Sequence, residues 1–216
     1  MVAPVDKPIL FSAPMVRAIL SNTKTQTRRI VKPQPATFEV KGEECEVSLV
    51  HVEGEPLPRI ATGRVLTAQT LRWKPGDRLW VREAWRTESS AYDDLKPADM
   101  DADYTVLYDA DADWKLNKST GRSRVSIHMP RWASRLTLRV TDVRVERLHN
   151  ISEDDAKAEG VEPQKLPGLG QGIAQAFNLT HRPYISAYAN VWNAINGPGA
   201  WEANPWIVAL TFIVII

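Results

Sequence analysis

The sequence has little cysteine and almost no net charge. Cys45 is the single cysteine among 216 residues, so no internal disulfide can form, which is typical of a reducing compartment. The 27 basic residues are balanced by 26 acidic ones, which gives a formal net charge of +1. Such a balance indicates no global attraction to nucleic acid or to an anionic membrane, although a local basic patch remains compatible with it. We therefore expect a soluble, cytoplasmic protein.

Long apolar runs are also missing. The most apolar segment, residues 206–216, has only 11 residues, whereas a membrane-spanning helix needs about 20. Its β-branched residues favour a buried strand instead. The amino terminus contains Pro4, Asp6 and Pro8 and has no apolar core of the length found in signal peptides. We expect no membrane partner.

Motifs for metals and cofactors are absent as well. The histidines at positions 51, 128, 149 and 181 have no cysteine or histidine at metal-ligand spacing. No Gly-x-Gly-x-x-Gly follows a predicted strand, and no phosphate-binding Walker loop or Gly-x-Ser-x-Gly elbow occurs. We expect neither a metal nor a cofactor.

Three helices are predicted from apolar spacing and end signals. The first begins near Pro14 and ends near Asn22, and the third runs from Pro183 to Ile195. The second lies between Ser152, a capping residue, and Gly160, a helix stop, so Glu159 falls at its end. On the third helix, one face is lined by Ile185, Tyr188, Trp192 and Ile195.

The remaining pattern is mostly one of strands. Runs of predicted strands without regular alternation with helices argue against a doubly wound sheet. They favour an α+β, mainly β architecture: a small, mostly antiparallel barrel with peripheral helices. We expect one domain over residues 1–216, with insertions at about 33–70 and 87–124. Within the second of these, residues 87–103 are acidic and irregular, as solvated loops are, and residues 104–108 are a predicted strand.

The segment from residue 23 to residue 29 concentrates reactive groups. It holds the basic residues Lys24, Arg28 and Arg29 and three threonine hydroxyls, on a predicted polar loop between a helix and a strand. If the segment is extended, alternate side chains share a face. A neutral lysine could then take the proton of Thr27 and make it a nucleophile. A solvated basic turn is the alternative interpretation.

Glu159 allows two interpretations. A glutamate at a helix end is usually a surface residue, and the carboxyl end of a helix disfavours its negative charge. A carboxyl group that is partly buried there retains its proton more readily and suits a general acid.

The eight tryptophans are numerous for this length. Most are expected in the core. Others could line a pocket, because aromatic faces stack on nucleobases. Trp80, which shares a predicted strand with Arg82, is such a candidate.

Four blocks of the sequence, in order, resemble the ASCH domain family, which has a PUA-like fold. They are residues 18–29, 75–81, 151–160 and 204–212, with Asn22 standing where glycine is common. Residues 126–135 and 192–197 are similar to ASCH-like proteins of tailed phages and prophages.

The resemblance implies a PUA-like barrel and an activity. Some small bacterial members are amidohydrolases that remove the acyl group from N4-acetylcytidine. By motif position, Lys24 is implied as the proton acceptor, Thr27 as the nucleophile and Glu159 as the proton donor. We take Arg29, a candidate for stabilising the oxyanion, together with Trp80 and Arg82 as candidate substrate-binding residues.

Two other functions stay open. PUA-like domains are often non-catalytic modules that bind RNA or a modified nucleobase. A ribonuclease, in which Lys24 and the arginines handle phosphate, is the third hypothesis. The expected partner is therefore a nucleoside or modified nucleobase, with RNA as the alternative. The net charge of +1 weakly favours the small ligand.

Overall fold

The computed structural model describes residues 6–32, 34, 72–111, 119–163 and 182–215, together with the backbone of four short strands between residues 38 and 57. The helices in this part of the chain are α1 (Ala13–Leu20), α2 (Glu153–Ala158) and α3 (Pro183–Asn196). The strands are β1 (Asp6–Leu10), β2 (Gln26–Ile30), β3 (Phe38–Val40), β4 (Glu43–Cys45), β5 (Val50–Val52), β6 (Glu55–Leu57), β7 (Arg78–Arg82), β8 (Trp85–Thr87), β9 (Val106–Tyr108), β10 (Thr137–Arg147) and β11 (Trp206–Val214).

Five strands form the main sheet, in the order β1-β7-β10-β11-β2. β1 runs parallel to β7, whereas β10 is antiparallel to β7 and β11 is antiparallel to β2. Among the described strands, β1 and β2 lie at the two ends of this order, and no pairing between them closes the sheet. The architecture of the described part of the chain is thus mixed α and β. No helix in the described ranges is both long and apolar enough to cross a membrane.

Short hairpins account for the other strands. β3 pairs with β4, β5 with β6, and β8 with β9, all antiparallel. The first two hairpins lie in the predicted insertion at 33–70, and the third opens the one at 87–124. The rest of the first insertion, apart from residue 34, lies outside the described residues.

The chain divides into two compact units. The first contains residues 1–24, 76–141 and 212–216. Its core includes Trp85, Met100 and Met129, and Trp85 packs edge-on against Trp132 with 5.9 Å between ring centroids. The expectation of a solvated loop over residues 87–103 is wrong for Tyr92, Leu95 and Met100, which pack in the cluster that contains Trp85. The strand predicted at residues 104–108 is confirmed as β9.

The second unit contains residues 25–75 and 142–211. Its core is built around Tyr188 and Trp192 of α3. Of the four residues on the predicted apolar face of α3, Tyr188 and Trp192 are buried and Ile185 packs against them, whereas Ile195 is 61% exposed. The chain after the helix folds back onto Trp192, whose Nε1 donates to the carbonyl of Ala200 at 3.2 Å, and Ile195 remains outside this contact.

Candidate functional site

Lys24 is positioned by the end of α1. Asn22 adopts a left-handed backbone conformation (φ 58°), which asparagine tolerates better than most residues and which explains why it can replace glycine here. The chain turns back, and the backbone N–H groups of Thr23 and Lys24 both donate to the carbonyl of Ala18, at 2.8 and 3.0 Å. The Lys24 side chain is only 1% exposed, and its Nζ lies 5.7 Å from the ring centroid of Phe11. The alternative of a solvated basic turn is therefore wrong for Lys24.

Thr27 lies on β2, which begins at Gln26, so the predicted loop is shorter than expected. The strand is paired with β11, with Thr27 opposite Leu210. Alternate residues share a face, as the sequence predicted for an extended segment: Arg29 Nη1 donates to Thr27 Oγ1 at 2.9 Å. Thr27 is 1% exposed. A buried hydroxyl is thus held by a cationic donor, an arrangement that stabilises negative charge developing on its oxygen.

Glu159 is positioned by the end of α2. The Ser152 side chain accepts a hydrogen bond from Asp155 N at 3.0 Å, and Gly160 has a φ of 80°, so both predicted end signals are confirmed. The Glu159 side chain is buried, which excludes the surface interpretation. Thr25 N donates to the carbonyl of Ala158 at 2.8 Å. This bond ties the residue before β2 to the end of α2 within the second unit.

The buried guanidinium of Arg28 connects β2 to the end of α2. Its Nη1 lies 3.2 Å from Glu159 Oε1 and 3.3 Å from Gln26 Oε1. Its Nη2 lies 3.1 Å from Glu146 Oε1 and 3.2 Å from Asp155 Oδ2. One cation therefore faces three carboxylates. Burial alone would lower the pKa of Arg28, but Glu159 and the other anionic groups offset this and raise it.

Tyr188 of α3 also contacts Glu159. Its hydroxyl donates to Glu159 Oε1 at 3.4 Å, the same oxygen that faces Arg28. Burial and the neighbouring carboxylate raise the pKa of Tyr188 well above its ordinary value. The phenol therefore keeps its proton at neutral pH and acts as a donor to Glu159. Burial lowers the pKa of Arg29, against the opposing effect of the same carboxylate.

Trp80 and Arg82 belong to the first unit, on β7. The guanidinium carbons of Arg82 and Arg131 lie 4.5 and 5.8 Å from the ring of Trp80, and Arg82 Nη1 also donates to the carbonyl of Ile127. Trp80 is only 8% exposed. A nucleobase that stacks on Trp80 at the position of either guanidinium would have to displace that guanidinium.

The predictions missed Arg28 and Tyr188. The sequence presents Arg28 as one of several basic residues on a predicted loop, and Tyr188 as part of an apolar helix face. For Arg28, the available signal is the alternation of side chains along the strand that contains Thr27. For Tyr188, it is a hydroxyl group on an otherwise apolar face of α3. Neither signal identifies Glu159 as the common partner, because the contacts span 131 and 29 residues of sequence.

The acidic residues around Arg28 are not arranged as a metal site. In the described part of the chain, no group of three or more histidine, cysteine or acidic residues is arranged to hold a metal ion. Their carboxylates instead share the guanidinium, which supplies the positive charge at this position.

Comparisons with known proteins add little to this geometry. No family model matches the chain, and no curated protein matches it significantly. Over its whole length the chain is similar to a crystal structure of an Enterococcus faecalis protein described by the family model DUF984. The identity is 12%, the TM-score is 0.37, and 82% of that chain is covered. Such a score is too low to establish a shared fold.

Proposed function

We propose that the protein is an amidohydrolase that removes the acyl group from N4-acylated cytidine-type nucleosides. Thr27 Oγ attacks the amide carbonyl carbon, and its proton passes to the neutral amine of Lys24. As the C–N bond breaks, Glu159, which enters the reaction as the carboxylic acid, protonates the departing nitrogen and becomes a carboxylate. Water then hydrolyses the acyl-threonine ester: Glu159 takes a proton from the water, and Lys24 returns its proton to Thr27. Atoms and protons balance, and the products are the free nucleoside and a carboxylic acid.

The observation that carries this proposal is the burial of three polar side chains. Lys24, Thr27 and Glu159 are 1%, 1% and 5% exposed. An amine, a hydroxyl and a carboxyl group lose hydration free energy when they are removed from water. In a surface turn or at a solvated helix end, these three side chains would therefore remain exposed. Burial of groups that can exchange protons favours a reactive site over surface decoration.

The hydrogen bond from Arg29 to Thr27 supports the assignment of the nucleophile. A guanidinium donor 2.9 Å from Oγ1 favours the alkoxide character that develops as the proton leaves. The same cation suits the oxyanion of the tetrahedral intermediate, since charge that develops in a water-excluded site gains most from a fixed donor.

The proposal includes the finer features that the ASCH resemblance implies. These are a PUA-like barrel as the parent fold, a single domain with insertions, a nucleoside as the small-molecule partner, a phage or prophage source, and the cytoplasm as the place of action. Among the candidate substrate contacts, Arg29 has the stronger support because it already touches Thr27. Trp80 and Arg82 are weaker candidates, since they contact each other.

The test is turnover of a panel of N4-acylated cytidines, read by mass spectrometry. The wild type should release cytidine and the matching acid. Thr27→Val and Lys24→Met should reduce kcat/KM by about 100-fold or more, the range of an activated nucleophile and its base. Lys157→Met is the matched control, because Lys157 is exposed on α2 and close to Glu159 in sequence; it should retain wild-type turnover.

The alternatives give different results in the same experiment. A binding module would retain an RNA or a modified nucleoside without turnover, and RNA binding would weaken steeply with salt. A ribonuclease would shorten RNA and leave the acylated nucleosides intact. Absence of product from every acylated nucleoside would overturn the proposal.

A further inference from the structure

One face of the sheet in the first unit carries arginines instead of a packed apolar layer. On β7, Leu79 and Val81 are buried in the core, so the residues that alternate with them lie on the opposite face. The registers with β1 and β10 place residues of the same orientation beside them. We call this surface the arginine face, and it consists of Asp6, Leu10, Arg78, Trp80, Arg82, Thr137 and Arg139.

Positive charge dominates the arginine face. Arg131, from the adjoining short helix, lies over Trp80 with 5.8 Å from its guanidinium carbon to the ring centroid. The side chains of Arg78 and Arg131 are 44% and 43% exposed, and Arg139 is exposed as well. Asp6 is the single acidic residue among those that form the face, although the whole chain has a net charge of only +1. The basic excess is therefore local.

A carboxylate already occupies the space between two of these arginines. Asp6 Oδ1 lies 3.3 Å from Arg78 Nε, and Asp6 Oδ2 lies 3.7 Å from Arg131 Nη2. The Asp6 side chain is itself 41% exposed, and ion pairs as exposed as these contribute little to stability. A carboxylate of another molecule can therefore replace that of Asp6 with little effect on the fold.

Exposed aliphatic side chains adjoin the arginines. Leu10, which is aligned with Arg82 in the register of β1 and β7, is 44% exposed. Arg82 Nη1 donates to the carbonyl of Ile127 at 3.0 Å, and Ile127 is 56% exposed. Protein–protein interfaces are enriched in arginine and aromatic residues, have an apolar centre and contain few lysines. The arginine face, which includes no lysine among its named residues, has this composition.

We propose that the arginine face is a docking surface for an acidic segment of a partner protein. Carboxylates of that segment bind Arg78 and Arg131, and its aliphatic side chains pack on Leu10 and Ile127. The arginines outnumber the single carboxylate of the face, so an acidic segment complements its charge. The inference is independent of the proposed function, because it involves none of the three proposed catalytic residues.

A nucleic acid or a second copy of the chain fits this face less well. Trp80 is only 8% exposed and two guanidiniums lie over its ring, so it offers no free stacking surface to a base. Phosphates gain nothing from Leu10 and Ile127, whereas aliphatic side chains of a protein would remove them from water. A second copy paired symmetrically through the same face would oppose arginine to arginine.

The test is binding of a fluorescein-labelled dodecapeptide of glutamate, leucine and serine, measured by fluorescence anisotropy. Arg78→Gln and Arg131→Gln should each weaken binding by about tenfold, because each removes a hydrogen bond between charged groups. Asp6→Asn should tighten binding, because it removes the competing carboxylate. Arg122→Gln is the matched control: Arg122 is exposed in the same unit but lies outside the three strands, so its loss should leave the affinity unchanged.

The aliphatic contact has its own pair of variants. Ile127→Ser should weaken binding by about threefold to tenfold, since part of a buried side chain is lost from the interface. Ile195→Ser, at a residue that is 61% exposed in the second unit, is the control and should not weaken it. With a peptide in which serine replaces leucine, Ile127→Ser should bind as well as the wild type does.

The alternative occupants are tested in parallel, with oligothymidylate of the same length and with sedimentation velocity of the protein alone. Circular dichroism identifies folded variants, and Arg131→Gln and Asp6→Asn carry the test if Arg78→Gln does not fold. The proposal would be overturned by absence of peptide binding, by tighter binding of the oligonucleotide, by self-association that Arg131→Gln abolishes, or by weaker binding in Asp6→Asn. These outcomes are independent of whether any acylated nucleoside is hydrolysed.

Discussion

Arg28 and Glu159, 131 residues apart in sequence, form an ion pair with 3.2 Å between Nη1 and Oε1. The pair links the strand that carries Thr27 to the C-cap residue of α2. Glu159 caps the carboxyl end of that helix, where a negative charge is unfavourable. Arg28 compensates for this position, so the ion pair both permits the buried carboxyl group and determines its surroundings.

The first prediction concerns stability. Arg28→Met should lower the free energy of unfolding by about 3–5 kcal/mol, because it leaves buried carboxylates without their cation. Urea denaturation measures this difference. Arg144→Met is a matched control, because Arg144 contacts the same acidic residues, Glu146 and Asp155, but its side chain is 40% exposed. Its loss should cost no more than about 1 kcal/mol. Equal losses in the two variants would contradict a special role for the buried guanidinium.

The second prediction concerns the pH dependence of stability. Burial opposes ionisation of Asp155, but hydrogen bonding from Gln26 and the cations Arg28 and Arg144 offset it, so the pKa of Asp155 lies below its ordinary value of 3.8. Its folded pKa is therefore lower than its unfolded one, and its contribution is present above pH 3.8 and lost as the pH falls through the folded pKa.

Asp155→Asn should accordingly be less stable than the wild type at about pH 7, with a difference that shrinks toward about pH 3. Urea denaturation across this range measures it. Asp154→Asn is the control, because Asp154 is exposed on the same helix, and it should show little difference at either pH. A difference for Asp155→Asn that grows on acidification would have the wrong sign.

The local parts of the fold could be predicted from the sequence, and the long-range parts could not. Ser152 and Gly160 mark the ends of α2 correctly because capping and left-handed backbone are properties of short segments. The apolar residues of β11 predict its burial for the same reason. The partner of Arg28 is different: it depends on which element the sheet brings next to β2, and no local pattern contains that information.

The candidate site shows the same division. Lys24, Thr27 and Glu159 are site residues by their positions in the motifs of the ASCH resemblance, and this stays a prediction; the structure shows that all three are buried. Helical spacing predicts Tyr188 as an apolar residue, and its ring does lie in the core, but its hydroxyl also donates to Glu159. A side chain with an apolar body and a polar tip satisfies both interpretations, and spacing along the helix cannot separate them.

The third prediction concerns packing in the first unit. A Cβ added to Gly121 would lie 2.8 Å from Asp93 Oδ1 and 3.1 Å from Ser89 O, and closer still to Thr87 Oγ1. Gly121→Ala should therefore destabilise the protein by about 1–3 kcal/mol through overpacking. Thermal or urea denaturation measures this.

A double-mutant cycle identifies the cause. Thr87→Ala removes the Oγ1 that Gly121→Ala would meet, so the double variant should be more stable than the sum of the two single losses predicts. Additive losses would show that the hydroxyl of Thr87 is not the obstacle.

The last prediction concerns a second buried carboxyl group, that of Glu83, which is 1% exposed. Arg135 forms two hydrogen bonds with it, Nε to Oε1 at 2.9 Å and Nη2 to Oε2 at 3.1 Å, and lies over the ring of Tyr108 with 3.9 Å from the guanidinium carbon to the centroid. Burial raises the pKa of Glu83 above its ordinary 4.5 despite this partner. A raised folded pKa means that protonation favours the folded state, so stability from this group is present below pH 4.5 and lost as the pH rises through the folded pKa.

Arg135→Met should make this dependence steeper, because the carboxylate of Glu83 would then be buried without its cation. We expect a loss of about 3–5 kcal/mol near neutral pH, and the loss should shrink as the pH is lowered and Glu83 takes up a proton. Urea denaturation as a function of pH measures both effects. The double variant Glu83→Gln with Arg135→Met carries no charge at either position, so its stability relative to the wild type should not recover on acidification. A recovery of the same size in the double variant would assign the pH dependence to another group, such as Asp111, whose carboxylate also binds Arg135.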